Sequence, residues 1–284
     1  GCGSDKEKDS STESVKQTEV QNDKEDNAGE SDSDSGVTEF TLTEDGGYII
    51  PGKVIEEKEN EYRIYDTGFF EILGGEGNDL SMGMYASQYK FIKNKGADKI
   101  VISCANINKM AGYENFSYEL YIVGDTKISE DAFRDNDSLT KVYIYSKAGE
   151  ISDYAFYRCT NLREAVLGSG VEVIDSLSFS ECKSLKDISF SEGLKEIKGY
   201  AFDGCSGLIS VTIGNNVASI GEYVFRNCCN LNSITIPDSV TNVGNYAFDG
   251  CCKLEKIELP ESVTEIGNSA FANCINVNEI KIPN

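Results

Sequence analysis

The sequence contains no histidine and no tryptophan in 284 residues. Histidine is the commonest general base and the commonest metal ligand among side chains, so its absence excludes Ser-His or Cys-His catalysis and His-ligated zinc. Positive charge is scarce as well, because 26 lysines and arginines face 48 acids and the net charge is −22. We therefore expect no nucleic-acid partner, since binding nucleic acid requires a basic face. No apolar run approaches the roughly 20 residues of a membrane-spanning helix.

Residues 1–38 form an acidic segment with few large aliphatic side chains. They carry 11 acids, four lysines and seven serines, for a net charge of −7. Such a segment cannot bury enough apolar surface to offset its chain entropy, so we expect a disordered tether. It begins Gly1-Cys2-Gly3-Ser4, which resembles the end of a bacterial lipoprotein signal and predicts lipid modification of Cys2. The alternative is that Gly1 is a cloning remnant and Cys2 an idle thiol.

Residues 127–284 repeat with a period of 23 residues, and the register holds for seven units. An aliphatic residue lies five positions before each recurring phenylalanine, and Leu or Val lies six positions after it. The phenylalanines are Phe133, Phe156, Phe179, Phe202, Phe225, Phe248 and Phe271. Such a period indicates a repeat architecture, in which no unit buries its own apolar face and stacking on its neighbours buries it.

One unit, residues 220–242, shows how a single coil is built. Ile234 and Ile236 alternate with polar residues, which predicts a short strand with one inward face, and Pro237 ends that strand. The Tyr-Ala-Phe segment of each unit, such as residues 246–248, is too short for a stable helix. We therefore expect one helical or 3₁₀ turn there. Each unit is then one coil of a solenoid.

The pattern Ile-Gly-Xxx-Tyr-Ala-Phe-Xxx-Xxx-Cys-Xxx-Xxx-Leu-Xxx-Xxx-Ile-Xxx-Ile-Pro resembles the BspA-like, or treponemal-type, leucine-rich repeat. Its best copies are residues 197–213, 220–237 and 243–260, and the resemblance covers residues 127–284. It implies a leucine-rich repeat solenoid of 23-residue repeats, with short parallel strands, helical or 3₁₀ turns and a β-rich N-terminal cap. It also implies adhesion or protein recognition at a bacterial surface. The first repeat departs most, because Asn136 replaces the Cys.

Residues 39–126 lack the period and are predicted to form an irregular β-rich N-terminal cap with degenerate repeats. Within them, Leu120-Tyr121-Ile122 looks like the strand of a unit that is one residue short. Residues 39–60 are expected to add strands around a turn at Gly46-Gly47. At the other end no capping segment follows the last unit. Either further chain follows it in the protein, or the last coil pairs with another copy.

Ten cysteines are present, and six of them recur every 23 residues: Cys159, Cys182, Cys205, Cys228, Cys251 and Cys274. No Cys-Xxx-Xxx-Cys spacing occurs, so we predict no metal site and expect a buried ladder of thiols that act as small apolar residues. Cys229 and Cys252 each follow a ladder cysteine and lie one coil apart. Adjacent coils would place their Cα atoms about 5 Å apart, which is within disulfide range. A Cys229–Cys252 disulfide is therefore a further prediction.

Aromatic and apolar residues gather at the N-terminal end of the outward strand face, namely Tyr121, Tyr143, Tyr145 and Val166. Tyrosine buries a large area while keeping a hydrogen bond, and it stacks on sugar rings, so these residues predict a partner-binding patch. The alternative is that they pack on the N-terminal cap. A second set sits just before the Ala-Phe turn, fits the repeat consensus and is interpreted as structural: Tyr154, Tyr200, Tyr223 and Tyr246.

No pair of carboxylates recurs on the strand columns, so we predict no enzymatic activity and no cofactor. The predicted protein is lipid-anchored on the extracellular face of a bacterial envelope, where it binds an extracellular protein or glycan. Membrane contact is expected only through a lipid on Cys2. Two alternatives stay open. One is assembly, in which the C-terminal repeat stacks on a second copy, and the other is capture of glycan or peptide nutrients.

Overall fold

The computed structural model describes residues 39–44, 47–58, 61–73, 86–112, 116–147 and 149–282, and the predicted tether with Cys2 lies outside these ranges. Within them, no helix has the length and apolarity needed to cross a membrane. The first nine elements are β1 (Thr41–Leu42), β2 (Tyr48–Ile49), β3 (Val54–Lys58), β4 (Tyr62–Tyr65), β5 (Phe69–Leu73), α1 (Ala86–Asn94), β6 (Lys99–Ser103), β7 (Asn106–Ile107) and β8 (Tyr118–Ile122).

Each later coil contributes one strand to each of two rows of parallel strands. The first row takes β10 (Leu139–Ile144), β12 (Glu164–Leu167), β14 (Asp187–Ser189), β16 (Ser210–Thr212), β18 (Ser233–Thr235), β20 (Lys256–Glu258) and β22 (Glu279–Lys281). An eight-stranded sheet ends in this row at β14, and β16 with β18 and β20 with β22 form two further two-stranded sheets. We call the whole row the first sheet. The second sheet takes β9 (Lys127–Ile128), β11 (Gly149–Ile151), β13 (Val171–Ile174), β15 (Glu196–Ile197), β17 (Ser219–Ile220), β19 (Asn242–Val243) and β21 (Glu265–Ile266). Paired residues lie 23 positions apart, as Tyr143 and Val166 do, so the predicted solenoid is confirmed.

The third side of each coil is a run of turns rather than a strand. Around Phe156, the amides of Ala155 and Tyr157 close turns onto carbonyls three residues earlier. The amide of Phe156 instead donates to the carbonyl of Ser178 in the next coil at 2.7 Å, and Tyr154 adopts a left-handed φ of 57°. We expected one helical or 3₁₀ turn here. The chain departs from a continuous helix because alternate amides turn toward the next coil, which an unbroken helical ladder would prevent.

A stack of phenylalanine rings runs along the centre of the repeats. Neighbouring rings are nearly parallel and 4.9 to 5.6 Å apart. Beside them runs the cysteine ladder, in which each thiol donates to a phenylalanine carbonyl of the preceding coil at 3.0 to 3.3 Å. The five cysteines from Cys159 to Cys251 are buried and Cys274 is half-buried. The predicted buried ladder is confirmed, and its thiols also have a hydrogen-bonding role.

Asn136 occupies the ladder position of the first repeat and is fully buried. Its amide nitrogen donates to the carbonyl of Met110 at 2.7 Å and to the hydroxyl of Tyr118 at 2.8 Å. Its amide oxygen accepts the backbone amide of Ser138 at 3.1 Å. A buried amide is stable only when its polar atoms are paired, as they are here. Asn136 therefore joins the ladder to the irregular region before it.

The first sheet continues into the N-terminal region, where β3, β4 and β5 are antiparallel and β5 then pairs in parallel with β6 and β6 with β8. The predicted β-rich cap is confirmed. β8 pairs with β10 through a shift in register between Leu139 and Lys141, as expected for a unit one residue short. β7 pairs with β9, so coils already stack before residue 127. β1 and β2 pair only with each other and flank the expected turn.

The helix α1 is an element that the sequence analysis did not predict. Ile92 anchors it in the core with 1% of its side chain exposed. The helix ends in a Schellman motif, because Gly96 N–H donates to the carbonyl of Lys93 and Ala97 N–H donates to the carbonyl of Ile92. Gly96 adopts a φ of 76°, which a glycine tolerates without steric cost.

Apolar side chains of the last described coil are open to solvent. Ile275 is 77% exposed, Ile282 60% and Ile280 45%, whereas the equivalent Ile257 one coil earlier is fully buried. Each coil is covered by the next one, so the difference between Ile280 and Ile257 follows from position alone. Stacking of this coil on a second copy stays a prediction.

Candidate functional site

The predicted tyrosines come together on the outward face of the first sheet. The ring of Tyr121 stacks on that of Tyr143 with centroids 4.6 Å apart, and Tyr143 lies 6.4 Å from Tyr145. Val166 is the strand partner of Tyr143 on β12. Tyr143, Tyr145 and Val166 are half-buried, whereas Tyr121 is only 8% exposed. The cluster forms as predicted, but one of its members is inaccessible.

Phe40, just before β1, covers this cluster. Its ring centroid lies 4.6 Å from Tyr121, 6.1 Å from Phe69 and 6.2 Å from Tyr145, and Tyr48 of β2 stacks on its other side at 5.9 Å. The β1–β2 hairpin thus buries a second, smaller core on the outward face of the sheet. The expectation that Tyr121 lies open to a partner is therefore wrong. Tyr121 packs on the N-terminal cap, which was the alternative interpretation.

A buried carboxylate helps to hold the hairpin in place. Glu71 on β5 is 3% exposed, and it accepts hydrogen bonds from the hydroxyls of Tyr48 at 2.7 Å and Tyr65 at 2.8 Å. Nη1 of Arg63 lies 3.6 Å from the same carboxylate. Burial and the bonded carboxylate raise the pKa of both phenols. The sequence analysis missed this group, although an acid within the apolar run of β5 is a signal, because a buried charge requires partners.

The phenols of the tyrosine cluster are neutral donors at ordinary pH. Burial, followed by the charge of Glu119, raises the pKa of Tyr121. Burial, followed by the charge of Glu164, raises the pKa of Tyr143 to about 12 and also raises that of Tyr145. A neutral phenol can both donate and accept a hydrogen bond. The half-buried rings of Tyr143 and Tyr145 therefore offer an apolar edge and polar tips to a partner.

An ion-pair ladder lies beside the tyrosines on the same face. Nζ of Lys141 is 3.4 Å from a carboxylate oxygen of Glu119 and 3.6 Å from one of Glu164. These side chains are partly exposed, so the pairs add little to stability. Their effect is to hold charge of both signs in fixed positions next to Tyr143.

Beyond Val166 the outward face of the first sheet is uncovered and carries small hydroxyl side chains. These exposed residues are Ser189, Ser210, Thr212, Ser233 and Thr235. Strands β16 and β18 pair in register, with Ser210 opposite Ser233 and Thr212 opposite Thr235. We use the term open face for the outward residues of β12 to β20. Its exposed side chains are mostly polar.

The consensus tyrosines form a separate ladder on the turn side. The rings of Tyr200, Tyr223 and Tyr246 stack at 4.5 and 4.9 Å. The guanidinium of Arg226 lies 5.4 and 4.9 Å from the first two ring centroids and donates to both carboxylate oxygens of Asp203 at 2.8 and 2.6 Å. Each of these three rings contacts a counterpart in an adjacent coil, whereas Tyr154 contacts Tyr157 of its own coil. This arrangement is consistent with the structural role predicted for these tyrosines.

Cys229 and Cys252 are free thiols, the first exposed and the second half-buried. Burial and the neighbouring thiol of Cys252 raise the pKa of Cys229. The two thiols are therefore adjacent as predicted. The predicted disulfide between them stays a prediction.

A shallow groove of about 210 Å³ lies on the second sheet, where it is lined by Gly221, Glu222, Asn242, Gly244 and Asn245, among others. Its glycines have a packing role. A Cβ on Gly244 would lie 2.6 Å from the backbone of Gly221, so the coils need glycine there in order to stack. In the part of the chain that the structure describes, no group of three or more Cys, Asp or Glu side chains could hold a metal ion.

Comparison with protein families matches residues 105–228 and 196–284 to six copies of the BspA type leucine-rich repeat region. Among solved structures, a leucine-rich repeat protein from Bacteroides ovatus is 27% identical with a TM-score of 0.54, and the match covers 81% of this chain. A leucine-rich cell surface protein from Faecalibacterium prausnitzii is 26% identical with a TM-score of 0.48, and the match covers 79% of this chain. A leucine-rich repeat protein from T. pallidum is 25% identical with a TM-score of 0.41, covering 63% of this chain and 83% of that one.

This chain spans about half the length of the first two of these structures, 53% in each case. A search of curated proteins finds no match. The family match includes all seven predicted units and begins at residue 105, within the predicted N-terminal cap. This start agrees with the pairing of β7 with β9, which places the first stacked coil before residue 127.

Proposed function

The chain belongs to the BspA-type leucine-rich repeat family, and on this premise we propose that it is a non-catalytic module that binds an extracellular protein or glycan through its first sheet. One observation carries the proposal. The hairpin that covers the outward face of this sheet ends at the tyrosine cluster, and the remaining coils leave the face uncovered. Repeat solenoids bind partners on such extended faces.

The proposed contact begins at Tyr143, Tyr145 and Val166 and continues along the open face. Half-buried aromatic residues beside a polar surface are typical of interface anchors, because they add apolar area at small entropic cost. The serine and threonine hydroxyls that follow provide donors and acceptors at the regular spacing of the strands, about 4.7–4.9 Å apart. This combination fits a partner with its own polar periodic surface, such as an extended peptide strand or a glycan chain.

We further propose that the protein is held at the bacterial surface by a lipid on Cys2, with residues 1–38 as the spacer. The support is the sequence around Cys2 and the acidic composition of the segment. Palmitate labelling of cells that express the chain with its native leader tests this proposal. Loss of label in a Cys2→Ala variant is the expected result, and retention of label would contradict it.

The binding proposal is tested by presenting the full chain to an array of matrix proteins, mucins and glycans. The test variant is Thr212→Arg/Thr235→Arg, which places two bulky charges on the open face. The matched control is Thr241→Arg/Thr264→Arg, because these exposed threonines are also one coil apart but lie immediately before β19 and β21 of the second sheet. We expect the first variant to weaken binding at least tenfold and the second to bind like the parent.

A second pair of variants locates the aromatic end of the contact. Tyr143→Ala/Tyr145→Ala is expected to weaken the same interaction, whereas Tyr223→Ala on the turn side is expected to leave it unchanged. Tyr121 is unsuitable for this test, since it is buried within the core under the hairpin, whereas Tyr143 and Tyr145 are half-buried at its edge. Equal binding by all variants would place the contact elsewhere and refute the proposed face.

A further inference from the structure

Two surface thiols occupy equivalent positions in adjacent coils. The amide of Cys229 donates to the carbonyl of Asn227 at 2.9 Å, and the amide of Cys252 donates to that of Gly250 at 2.8 Å, so both residues have the same local turn. The two turns are tied together, because Asn227 N–H donates to the carbonyl of Asp249 at 2.7 Å. Stacked coils about 4.8 Å apart place equivalent Cα atoms within the range of about 4.4–6.8 Å seen in disulfides.

The neighbouring ladder cysteines face the opposite way. Cys228 and Cys251 are buried, and their thiols donate inward to the carbonyls of Phe202 and Phe225 at 3.3 and 3.2 Å. Burial raises the pKa of both thiols well above the ordinary value. A soluble reagent therefore reaches Cys229 first, and the thiol beside Cys229 is that of Cys252.

We propose that Cys229 and Cys252 are a redox modification site, at which exchange with a small disulfide such as oxidised glutathione forms a bond between two coils. The thiolate of Cys229 attacks one glutathione sulfur, which forms a mixed disulfide and releases the first glutathione. The thiol of Cys252 then attacks the Cys229 sulfur, so the Sγ–Sγ bond forms and the second glutathione leaves. Two electrons and two protons pass from the protein thiols to the two glutathione molecules.

The bond ties the coil of residues 220–242 to that of residues 243–265. In a solenoid each coil contacts only its neighbours, so the tie acts locally and opposes separation of these two coils. Because the thiolate is the attacking species and the pKa of Cys229 is raised, the exchange accelerates as the pH rises toward that pKa. The same turns carry the acidic side chain of Asp249 and the amide side chains of Asn227 and Asn230. The sequence between Cys229 and Lys253 contains no lysine or arginine.

The experiment treats the full chain with oxidised glutathione and digests it, without reduction, with a protease that cuts before aspartate. Asp238 and Asp249 lie between the two thiols, so Cys229 and Cys252 fall in different peptides. Mass spectrometry is expected to find these peptides joined. Either Cys229→Ser or Cys252→Ser should abolish the joined product, whereas Cys104→Ser should not. The oxidised chain should also melt at a higher temperature than the reduced chain, and this shift should vanish in Cys252→Ser.

A register-shifted variant tests whether coil geometry determines the pairing. Ser206 holds the equivalent position one coil before Cys229, and its amide makes the same bond, to the carbonyl of Gly204. In Ser206→Cys/Cys252→Ser, Cys229 should therefore pair with the thiol at position 206, and trypsin separates the two positions by cutting after Arg226. The proposal would be overturned if Cys229 and Cys252 stayed free thiols in the parent chain while the shifted pair became joined in the variant. So would recovery of each thiol with its own glutathione attached.

Discussion

In the repeats a side chain meets its own counterpart from the next coil, whereas in residues 39–126 it meets an unrelated partner. Phe202 packs between Phe179 and Phe225, its equivalents in the coils on either side. Phe40, in contrast, packs on Tyr121, which comes much later in the chain and belongs to another element. Each contact in the repeats is made several times along the solenoid, while each contact of the N-terminal region is made once. The repeats therefore spread their stability over many equivalent contacts, whereas the N-terminal region relies on contacts that occur once.

The two regions also differ in how many faces of the first sheet they bury. In the N-terminal region Ile100 and Ile102 of β6 face the main core, and Val101 between them faces the smaller core under the hairpin. A strand that is buried on both faces has a continuous apolar sequence, whereas a strand buried on one face alternates. The strands β14, β16 and β20 alternate, with one buried residue between two exposed ones. In the described residues, the outward face of this sheet is open only where the second cover ends.

The largest expected effect comes from removing one ring of the phenylalanine stack. Phe202→Ala removes a fully buried ring with a neighbour on each side, and we expect it to lower the free energy of unfolding by about 3–5 kcal/mol. Phe271→Ala is the control, since this ring is half-buried and stacks only on Phe248. Urea denaturation monitored by circular dichroism measures both. Equal losses would show that position within the stack does not matter.

Alkaline pH should separate the two regions. The pKa values of Tyr48, Tyr65, Tyr121 and Tyr143 are raised in the folded chain, so the neutral phenol favours folding. This stabilisation is fully present below the ordinary tyrosine pKa of about 10 and is lost as the pH rises toward the folded values. The buried thiols of Cys205, Cys228 and Cys251 in the repeats also have raised pKa values, and the ordinary pKa of a thiol is lower, about 8.5. Hydrogen exchange should therefore show opening of residues 171–260 from about pH 9 and opening of residues 61–73 only above about pH 10. Opening of both regions at the same pH would contradict the expectation.

The buried carboxylate of the hairpin network should have a smaller effect. In Glu71→Gln one carboxylate oxygen becomes an amide that cannot accept a phenol hydrogen bond, so Tyr48 or Tyr65 loses its acceptor. We expect the free energy of unfolding to fall by about 1–3 kcal/mol. Glu57→Gln is the matched control, because Glu57 is exposed and its bond to Arg63 is 3.3 Å long. Urea denaturation and the rate of proteolysis near Phe40 measure the difference, and equal behaviour would show that Glu71 does not hold the hairpin.

The smallest effect is expected on the turn side of the repeats. Arg226→Lys removes the paired bonds to Asp203 and the flat contact with two tyrosine rings, which should cost about 0.5–1 kcal/mol. Lys195→Arg is the control, since Lys195 makes one exposed contact with Glu172 at 2.7 Å. Thermal melting of both variants provides the comparison. If Arg226→Lys lowered the free energy of unfolding as much as Phe202→Ala does, the turn side would contribute as much to stability as the core.

The repeats could be predicted from the sequence because every unit supplies the same evidence again. The spacing of Phe225, Cys228 and Leu231 recurs in each coil, so the inward residues and the parallel register followed from the period alone. The backbone of the turn did not follow from it. The left-handed φ of Tyr154 and Tyr223 arises because alternate amides donate to carbonyls of the next coil. The pattern of side chains does not predict this backbone geometry.

The candidate site was predicted less well, because its cover comes from a distant part of the chain. Tyr121, Tyr143 and Tyr145 were placed together correctly by the period. Nothing periodic connects them to Phe40, whose position depends on a hairpin of two-residue strands. The helix α1 was missed for a related reason, since a nine-residue helix is marginal by itself and owes its stability to packing of residues such as Ile92.

The constant sequence separation between the donor and the acceptor of the backbone hydrogen bonds that join neighbouring coils makes the length of this protein adjustable. Phe179 N–H donates to Ala201 O and Phe202 N–H donates to Val224 O, and the bonds of each coil end at the next coil. Deletion or duplication of one whole unit therefore leaves every remaining bond with an equivalent partner. Each added unit lengthens the open face by one strand spacing, about 4.7–4.9 Å. Gene duplication can thus change the length of the solenoid without inventing a new coil.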